Sequence, residues 1–455
     1  MRGSRGIGLA LSALCLLPGC AGRGRPLPDV VLVTIDTLRQ DRLGCYGYFR
    51  DTTPSLDAFA REATLFENAI TPMATTLPAH VSLLTGARPL RHGIRGNFAS
   101  FGAALRPDSG MRTLAQILAE LGYETAAFVS AAPLKRPSGI AAGFALFSEP
   151  LGKERKAGET TREVLAWLDS SPRRPFFLWI HYFDPHDAYA PPAPYDTLFT
   201  TDARQLEQLE EKRFVFYEHP QIQKINNLYD GEVRYVDDQL ALVLARLREL
   251  AILDEAAIVI AGDHGEGLGQ HDWVGHDKIF GEQLRIPLLV KTPRSWRERA
   301  RKAGTAAGEP GRRREIVGLI DVLPTLLELI GRPAPDAVRA QLDGRSLLSG
   351  SPRDYVFSQR TEGREEKLGP GREFSLTGSA WKYVHATEEA DALYDLIADP
   401  YETVDVCTRD SAVAETLRGR ILELLSTEVE PAREANGEEL PQEHIEELKA
   451  LGYVD

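Results

Sequence analysis

The chain has 455 residues, of which 43% are hydrophobic, enough to bury one large core or two unequal ones. This composition excludes a disordered or fibrous protein. The formal net charge is −13, and no stretch gathers enough lysine and arginine to follow a phosphate backbone. We therefore expect no nucleic-acid partner.

Residues 1–20 have the order of an export signal. Two arginines precede an apolar run over residues 7–17, which is too short to span a membrane. A small residue and Cys20 follow, as in the lipobox of bacterial lipoproteins, in which the cysteine is lipidated and becomes the mature N-terminus; Pro18 departs from that pattern. We expect an exported protein of the cell envelope, on its periplasmic or extracellular face, anchored to the membrane through Cys20. Plain secretion is the alternative.

Few cysteines would remain after cleavage, namely Cys20, Cys45 and Cys407, so no disulfide framework is expected. A Cys45–Cys407 bridge stays open. Residues 21–28, rich in glycine, arginine and proline, are typical of a tether between an anchor and a folded domain.

Three apolar runs predict strands that are buried on both faces of a parallel sheet: residues 30–35, 176–180 and 257–261. Helical patterns lie between them, at residues 113–121, at residues 161–168 and from Tyr229 onward. Strands that alternate with helices predict a doubly wound α/β sheet. Ligands bind such sheets at the carboxyl ends of the strands, where this chain places polar residues.

The remaining segments give weaker signals. Residues 297–314 and 362–372 are rich in glycine and charge and lack periodicity, which predicts exposed loops. Two short strands at residues 381–384 and 392–396 predict a C-terminal subdomain, followed by a helical tail to Asp455. We expect a catalytic domain over residues 29–350 and this subdomain with its tail over residues 351–455.

Asp36 follows the first predicted strand, and Asp263 and His264 follow the third. Two carboxylates and an imidazole at one edge of a sheet suit a divalent cation. Taken singly, each residue has a simpler interpretation, because aspartate at a strand end often caps a turn.

Residues 75–86 read Thr-Thr-Leu-Pro-Ala-His-Val-Ser-Leu-Leu-Thr-Gly. A hydroxyl just before a proline that opens a helix could lie beside amide donors of the helix N-terminus and face an anionic substrate. The alternative is an ordinary threonine N-cap.

This segment resembles the sulfatase signature, in which a cysteine converted to formylglycine is followed by x-Pro-Ser/Ala-Arg and then by Leu-Leu-Thr-Gly. Pro78, Ala79 and residues 83–86 set the register, which puts Thr76 at the nucleophile and His80 at the arginine. Similar blocks follow in order along nearly the whole chain: residues 35–39 with 44–47, 53–57, 181–186, 262–266, 284–288, 321–325, and 393–396 with 399–400. The chain is identified as a member of the sulfatase branch of the alkaline phosphatase superfamily. The resemblance implies an α/β sandwich with a mostly parallel central sheet and a small C-terminal α+β subdomain.

The resemblance also implies roles for residues around the strand ends. A divalent metal would be held by Asp36, Thr76, Asp263 and His264. The expected contacts with the anionic ester or its leaving group are His80, Asn97, His181, His186, and His276 or Lys278. Alternatively, a second metal would be held by Asp184, His186 and His276. His271 is expected either in this outer group or in a surface loop.

Two departures from the sulfatase pattern bear on the chemistry. Formylglycine cannot arise from Thr76, whereas threonine is the nucleophile of related nucleotide pyrophosphatases, phosphoethanolamine transferases and lipoteichoic acid synthases. Thr37 stands where sulfatases tend to have a second carboxylate, and His264 where many have an amide. One more nitrogen and fewer oxygens favour zinc or manganese over calcium or magnesium.

We therefore predict a metal-dependent hydrolase or transferase of phosphate or phosphonate esters with a Thr76 nucleophile. The alternatives are a literal sulfatase, acting on sulfuric esters, and an inactive lipid-anchored binding protein. The oligomeric state is left open.

Overall fold

A computed structural model describes residues 27–97, 104–152, 154–362 and 365–428. The export signal, Cys20, most of the tether and the tail beyond residue 428 lie outside the described residues. The strands are β1 Val30–Ile35, β2 Thr64–Ile70, β3 Glu124–Phe128, β4 Leu146–Ser148, β5 Phe176–Tyr182, β6 Ala257–Gly262, β7 Gly267–Leu268, β8 Val274–Gly275, β9 Arg285–Ile286, β10 Leu288–Lys291, β11 Gly311–Gly318, β12 Tyr355–Gln359, β13 Glu373–Gly378, β14 Trp381–Ala386 and β15 Ala392–Asp395. The α-helices are α1 Pro54–Ala60, α2 Thr76–Thr85, α3 Pro89–His92, α4 Leu114–Glu120, α5 Ala157–Asp169, α6 Ala203–Glu211, α7 Pro220–Glu249, α8 Gly281–Leu284, α9 Arg294–Lys302, α10 Val322–Leu329, α11 Asp336–Gln341, α12 Glu365–Leu368 and α13 Ser411–Leu425.

The central sheet has the strand order β11-β2-β10-β6-β1-β5-β3-β4, with β9 paired to β2. β1 lies between β5 and β6 and is parallel to both. β10 is antiparallel to its two neighbours, so the sheet is mixed but mostly parallel. The predicted sandwich class is confirmed.

β1 shows why the sheet is covered on both sides. Successive side chains of a strand point to opposite faces, and Val30 and Leu32 enter one apolar core while Val31, Val33 and Ile35 enter another. Helices α2, α4 and α10 contribute to the first core, and α1, α5 and α7 contribute to the second. A strand buried on both faces must be apolar throughout, which is the pattern that the sequence shows.

The register places the polar strand ends together. Ile35 of β1 lies opposite Gly262 of β6, so that Asp36 and Asp263 leave the sheet side by side. On the other side of β1, Thr34 lies opposite His181 of β5.

The C-terminal subdomain is an antiparallel sheet of β12 to β15. Leu417 and Ile421 of α13 are buried with the apolar side chains of this sheet. Lys382 of β14 forms a buried ion pair with Glu402 and also donates a hydrogen bond to the carbonyl of Ile279, which links the subdomain to the catalytic domain.

The prediction of exposed loops at residues 297–314 and 362–372 was partly wrong. Helix α9 and strand β11 occupy most of residues 297–314. Trp296 and Ala300, four residues apart, turn inward from a helix whose other side chains are charged apart from Ser295. β11 is an edge strand beside β2, and its arginines face outward. Helix α12 falls within residues 362–372.

Cys45 and Cys407 are both free thiols, so the bridge left open above does not form. Among the described residues, the helices are all too short or too polar to cross a membrane.

Candidate active site

Four side chains converge at the carboxyl ends of β1 and β6 and the N-terminus of α2. His264 Nε2 lies 3.6 Å from Asp36 Oδ1 and 3.5 Å from Asp263 Oδ2. Thr76 Oγ1 lies 3.5 Å from the same nitrogen. All four residues are at most 2% exposed. The structure therefore brings together the four residues that the sequence nominated for a metal.

Neighbouring backbone groups orient this cluster. His264 Nδ1 lies 2.9 Å from the Gly265 carbonyl, and because a carbonyl only accepts, Nδ1 carries the proton and Nε2 presents its lone pair to the cluster. A side chain at Gly265 would collide with the backbone, since its Cβ would lie 2.1 Å from the Glu282 carbonyl oxygen. Thr37 has a φ of 51°, rare for threonine, and its amide donates to Asp263 Oδ1 over 3.1 Å.

The charge balance of the cluster fits a divalent cation. Both oxygens of Asp36 and Oδ2 of Asp263 are buried without a hydrogen-bond partner among the described residues, which is costly for carboxylates unless a cation neutralises them. Burial and the adjacent Asp36 raise the pKa of Asp263 well above its usual value. Burial also tends to raise the pKa of Asp36, but the His181 imidazole at 3.5 Å and the rings of His186 and His264 outweigh it and hold that pKa low. Burial lowers the pKa of His264 to about 3, so the ring is neutral as a ligand must be.

Thr75 and Thr76 differ sharply in environment. Thr76 is the first residue of α2 and its hydroxyl faces His264, whereas the Thr75 hydroxyl contacts Thr361 and lies 3.4 Å from Asp277 Oδ1. Thr75 occupies the N-cap position without making a side-chain cap hydrogen bond. The N-cap alternative therefore does not describe Thr76.

His80 does not have the role of a fixed cation at the arginine position. Its Nδ1 lies 2.7 Å from the Thr76 carbonyl and its Nε2 lies 2.9 Å from the Thr34 hydroxyl. Burial and the neighbouring His181 lower its pKa to about 3, so the ring is neutral. His80, His181 and Asp263 also form a group at metal-ligand distances, but both His80 nitrogens are already hydrogen-bonded. His80 holds α2 against β1.

His181 faces Asp36 and not the substrate side. Its Nε2 lies 3.5 Å from Asp36 Oδ2, and its Nδ1 lies 3.4 Å from the Ser130 amide. In this position His181 can orient Asp36, a candidate metal ligand. Its predicted contact with the substrate stays a prediction.

Asn97 lies at the start of α2, where its Oδ1 accepts a hydrogen bond of 2.9 Å from the Leu77 amide. The Leu77 amide is one of the N-terminal donors of α2 that were predicted to face an anionic substrate, and this hydrogen bond already satisfies it. Asn97 therefore lies beside the first turn of α2, and its contact with the substrate stays a prediction.

His186 and His276 extend the cluster away from the sheet. The His276 ring lies 4.8 Å from the His264 ring and 5.1 Å from the His186 ring. His276 Nδ1 faces Glu266 Oε1 at 3.4 Å. Burial lowers the pKa of His276, but Asp277 and Glu266 raise it by more, to about 9.

The Lys278 ammonium nitrogen does not join the cluster of candidate metal ligands but lies 4.1 Å from the centre of the Trp273 ring. Of the two residues nominated for the leaving group, His276 is therefore the one beside the metal ligands. His271 is half-buried, with Nδ1 2.9 Å from Glu282 Oε1.

Asp184 does not join His186 and His276 as a metal ligand. Lys156 Nζ lies 3.2 Å from its Oδ1, and the Ala157 amide donates to its Oδ2 over 2.8 Å. The same ammonium lies 3.6 Å from the buried Glu232. In the described parts of the chain, the predicted second metal group is not assembled, because Asp184 faces a lysine.

Glu266 is the residue that sequence reasoning missed. It is fully buried, and neither carboxylate oxygen has a hydrogen-bond partner in the described chain apart from the ion pair with His276. The sequence did point to this residue, because Glu266 ends the block Gly262-Asp263-His264-Gly265-Glu266. An acidic residue near a turn does not, however, indicate which histidine it will contact in the fold.

Comparison with known proteins shows the family to which the chain belongs. The family model described as Sulfatase matches residues 28–332, about two thirds of the chain. The chain belongs to the sulfatase family. It is a sulfatase-like ester hydrolase of the alkaline phosphatase superfamily, and enzymes of this family use a divalent metal.

Curated relatives include proteins of differing activity. The chain is 24% identical to the multifunctional alkaline phosphatase superfamily protein PehA of Trinickia caryophylli, covering 88% of this chain and 94% of that protein. It is 23% identical to the Delta 4,5-hexuronate-2-O-sulfatase of Bacteroides thetaiotaomicron, covering 86% of each. Among solved structures, the phosphonate monoester hydrolase of Agrobacterium radiobacter aligns with a TM-score of 0.69 at 21% identity, covering 88% of this chain and 95% of that one. This last likeness shows the fold alone.

Proposed function

We propose that this enzyme hydrolyses or transfers phosphate or phosphonate esters through the hydroxyl of Thr76. The observation that carries the proposal is the position of that hydroxyl, 3.5 Å from His264 Nε2 and among unpartnered carboxylate oxygens. Threonine cannot become formylglycine, so the hydrated-aldehyde route of sulfatases has no starting group here. A hydroxyl beside a metal site is a nucleophile suited to phosphorus.

The residues of the site divide the work of the reaction. A bound divalent cation, with zinc or manganese favoured, supplies a Lewis acid that offsets the negative charge of the ester. The Thr76 hydroxyl releases its proton to solvent and Oγ1 attacks phosphorus, and the bond to the leaving-group oxygen breaks as the new O–P bond forms. His276, oriented by Glu266 at Nδ1, supplies the proton to the departing oxygen. Water, or an acceptor alcohol in a transferase, then cleaves the threonine ester.

Sulfate-ester hydrolysis is the second candidate. A relative of this chain is a sulfatase, and sulfate and phosphate esters share a tetrahedral anionic group. The threonine at position 76 favours phosphate or phosphonate esters over sulfate esters as substrates, because nothing in the described site replaces the geminal hydroxyl of a formylglycine hydrate.

One assay panel tests the proposal. Aryl phosphate, phosphate diester, arylphosphonate ester and aryl sulfate are compared on the metal-loaded protein, and we expect the phosphorus esters to have the higher kcat/KM. Thr76→Ala should lower kcat by about a thousandfold or more, leaving only electrostatic stabilisation by the remaining site.

Two control variants make the panel decisive. Thr76→Ser keeps a hydroxyl and should retain part of the activity, and Thr75→Ala should largely spare it because the Thr75 hydroxyl faces Thr361. A preference for aryl sulfate in the wild type would support the sulfatase alternative. No turnover of any ester with metal bound would support a binding protein.

A further inference from the structure

Two lysines share one indole at the outer side of the site. Lys278 Nζ lies 4.1 Å from the centre of the Trp273 ring, and Lys367 Nζ of α12 lies 5.2 Å from the same centre. Lys278 comes from the catalytic domain and Lys367 from the C-terminal subdomain. We call Trp273, Lys278 and Lys367 the lysine rim.

The lysine rim is connected to the reaction site in short steps. The Trp273 indole N–H donates a hydrogen bond of 3.1 Å to the His276 carbonyl. The His276 ring lies 4.8 Å from the His264 ring, whose Nε2 faces Thr76. The lysine rim therefore lies on the His276 side of the cluster, the side on which the proposed proton donor would meet the leaving group.

Neither ammonium group has a carboxylate at ion-pair distance among the described residues. The carboxylates whose charge reaches Lys278 are Glu373, Glu282 and Asp272. Two of them are engaged elsewhere, since Glu282 pairs with His271 and Glu373 pairs with Arg360. A cation–π contact offsets only part of the lost hydration of an ammonium group, and two like charges at one ring repel each other.

We propose that the lysine rim binds a second negative charge on the leaving group of the substrate, so that the preferred ester is one whose alcohol itself carries an acidic group. The inference rests on the proposed function, because it assigns the leaving group of that reaction. An anion between two ammonium groups relieves their repulsion, and the flat face of Trp273 provides an apolar surface for a ring that carries the anion. The lysine rim would thus select among esters by the charge of the leaving group, with Thr76 acting on each of them in the same way.

Binding of stable analogues tests the lysine rim without turnover. The probes are 4-phosphonobenzoic acid and 4-phosphonobenzamide, which share the phosphonate and the ring and differ in the second charge; 4-sulfobenzoic acid and 4-sulfobenzamide form the matching sulfonate pair. Affinities for the metal-loaded protein are measured by calorimetry. We expect the wild type to bind the acid tighter than the amide by about fivefold at low ionic strength, and less so in high salt.

The variants separate the lysine rim from the rest of the surface. Lys278→Gln and Lys367→Gln should each reduce the acid-to-amide ratio by about threefold, and the double variant should bring it close to one. Lys302→Gln, an exposed lysine on α9, is the matched control and should keep the wild-type ratio. Equal wild-type binding of acid and amide, or an unchanged ratio in the double variant, overturns the rim proposal alone. No binding of any of the four probes overturns the proposed function together with it.

Discussion

At the scale of single residues, the site works because adjacent positions have separate tasks. Thr76 faces the metal ligands, while its neighbour Thr75 contacts Thr361 of the C-terminal subdomain. The two hydroxyls are one residue apart at the start of α2, where the chain enters a helix and successive side chains diverge by about 100°. A shift of one residue would exchange the proposed nucleophile for a structural contact.

The unpartnered carboxylates predict the metal content of the protein. We expect about one tightly held zinc or manganese per chain, because two carboxylates, one imidazole and one hydroxyl suit these ions. Asp36→Asn should remove most of it, since the variant loses a charged ligand. Elemental analysis of the purified protein measures both.

Asp237→Asn is the control for this experiment. Asp237 is also a fully buried aspartate, but its oxygens accept from the Ser55 and Leu56 amides at the start of α1. The variant should be less stable yet keep its metal. Calcium as the sole bound ion, or the same metal content in Asp36→Asn as in the wild type, would contradict the ligand assignment.

The candidate metal ligands could be predicted from the sequence, but the roles of the neighbouring histidines could not. Asp36, Asp263 and His264 follow strands whose apolar runs are easy to recognise, and carboxyl ends of parallel strands meet at one edge. The roles of His80 and His181 depend on a hydroxyl of β1 and on pairing of β5 beside it. Such contacts depend on strand order, which a single sequence does not state.

At the scale of elements, the buried central strands could be predicted from the sequence, whereas an edge strand and a charged helix could not. β1, β5 and β6 were predicted because central strands are apolar along their length. The edge strand β11 begins Gly-Arg-Arg-Arg and resembles a loop, because only one of its sides is paired. Helix α9 was missed for a similar reason, because most of its residues are charged and only Trp296 and Ala300 turn inward. Elements whose stability comes from a few buried contacts leave little periodicity to read.

The hairpin of β7 and β8 predicts a pH-dependent stability. His271, in its turn, stacks on Phe280 at 3.8 Å and faces Glu282 Oε1 through Nδ1 and the Glu402 carbonyl through Nε2. Burial lowers the pKa of His271, but the carboxylate of Glu282 raises it by more, so that it lies above the model-peptide value of 6.5. Both acceptors are satisfied only when both ring nitrogens carry protons.

The sign of the effect follows from linkage. Because the folded-state pKa is the higher one, the stabilisation is complete below about pH 6.5 and is lost as the pH rises through the folded-state value. His271→Gln should therefore lower the free energy of unfolding more at about pH 6 than at about pH 9. Urea unfolding of both proteins at the two pH values measures the difference. A cost that is equal at both, or larger at the higher pH, would show that His271 acts by packing alone.

At the scale of the whole molecule, the two parts of the chain meet at the active site. The Thr361 amide donates to the Asp277 carbonyl over 3.2 Å, and Lys367 reaches the Trp273 ring. The catalytic residues come from the large domain, but one wall beside them comes from the C-terminal subdomain. If the lysine rim acts as proposed, substrate selection could change through the subdomain while the sheet that holds the candidate metal ligands stays the same.

We propose that the whole enzyme is held at a membrane by lipid on Cys20, since the segment before it resembles a lipoprotein signal. Acyl chains add membrane affinity for each buried methylene, so the full-length protein expressed in a bacterial host should partition into the detergent phase. Cys20→Ser should move to the aqueous phase, because the site of lipid attachment is lost. Phase partitioning with detection of the protein in each phase measures this.

Cys407→Ser is the control, because Cys407 is a free thiol in the folded subdomain and its loss should leave partitioning unchanged. Mass spectrometry of the mature N-terminus gives an independent readout, since a lipidated Cys20 would be the first residue and would carry the mass of its acyl chains. Identical partitioning of the wild type and Cys20→Ser would contradict the anchor. An aqueous wild type cleaved near residue 20 would instead establish plain secretion, with the same active site working free of the membrane.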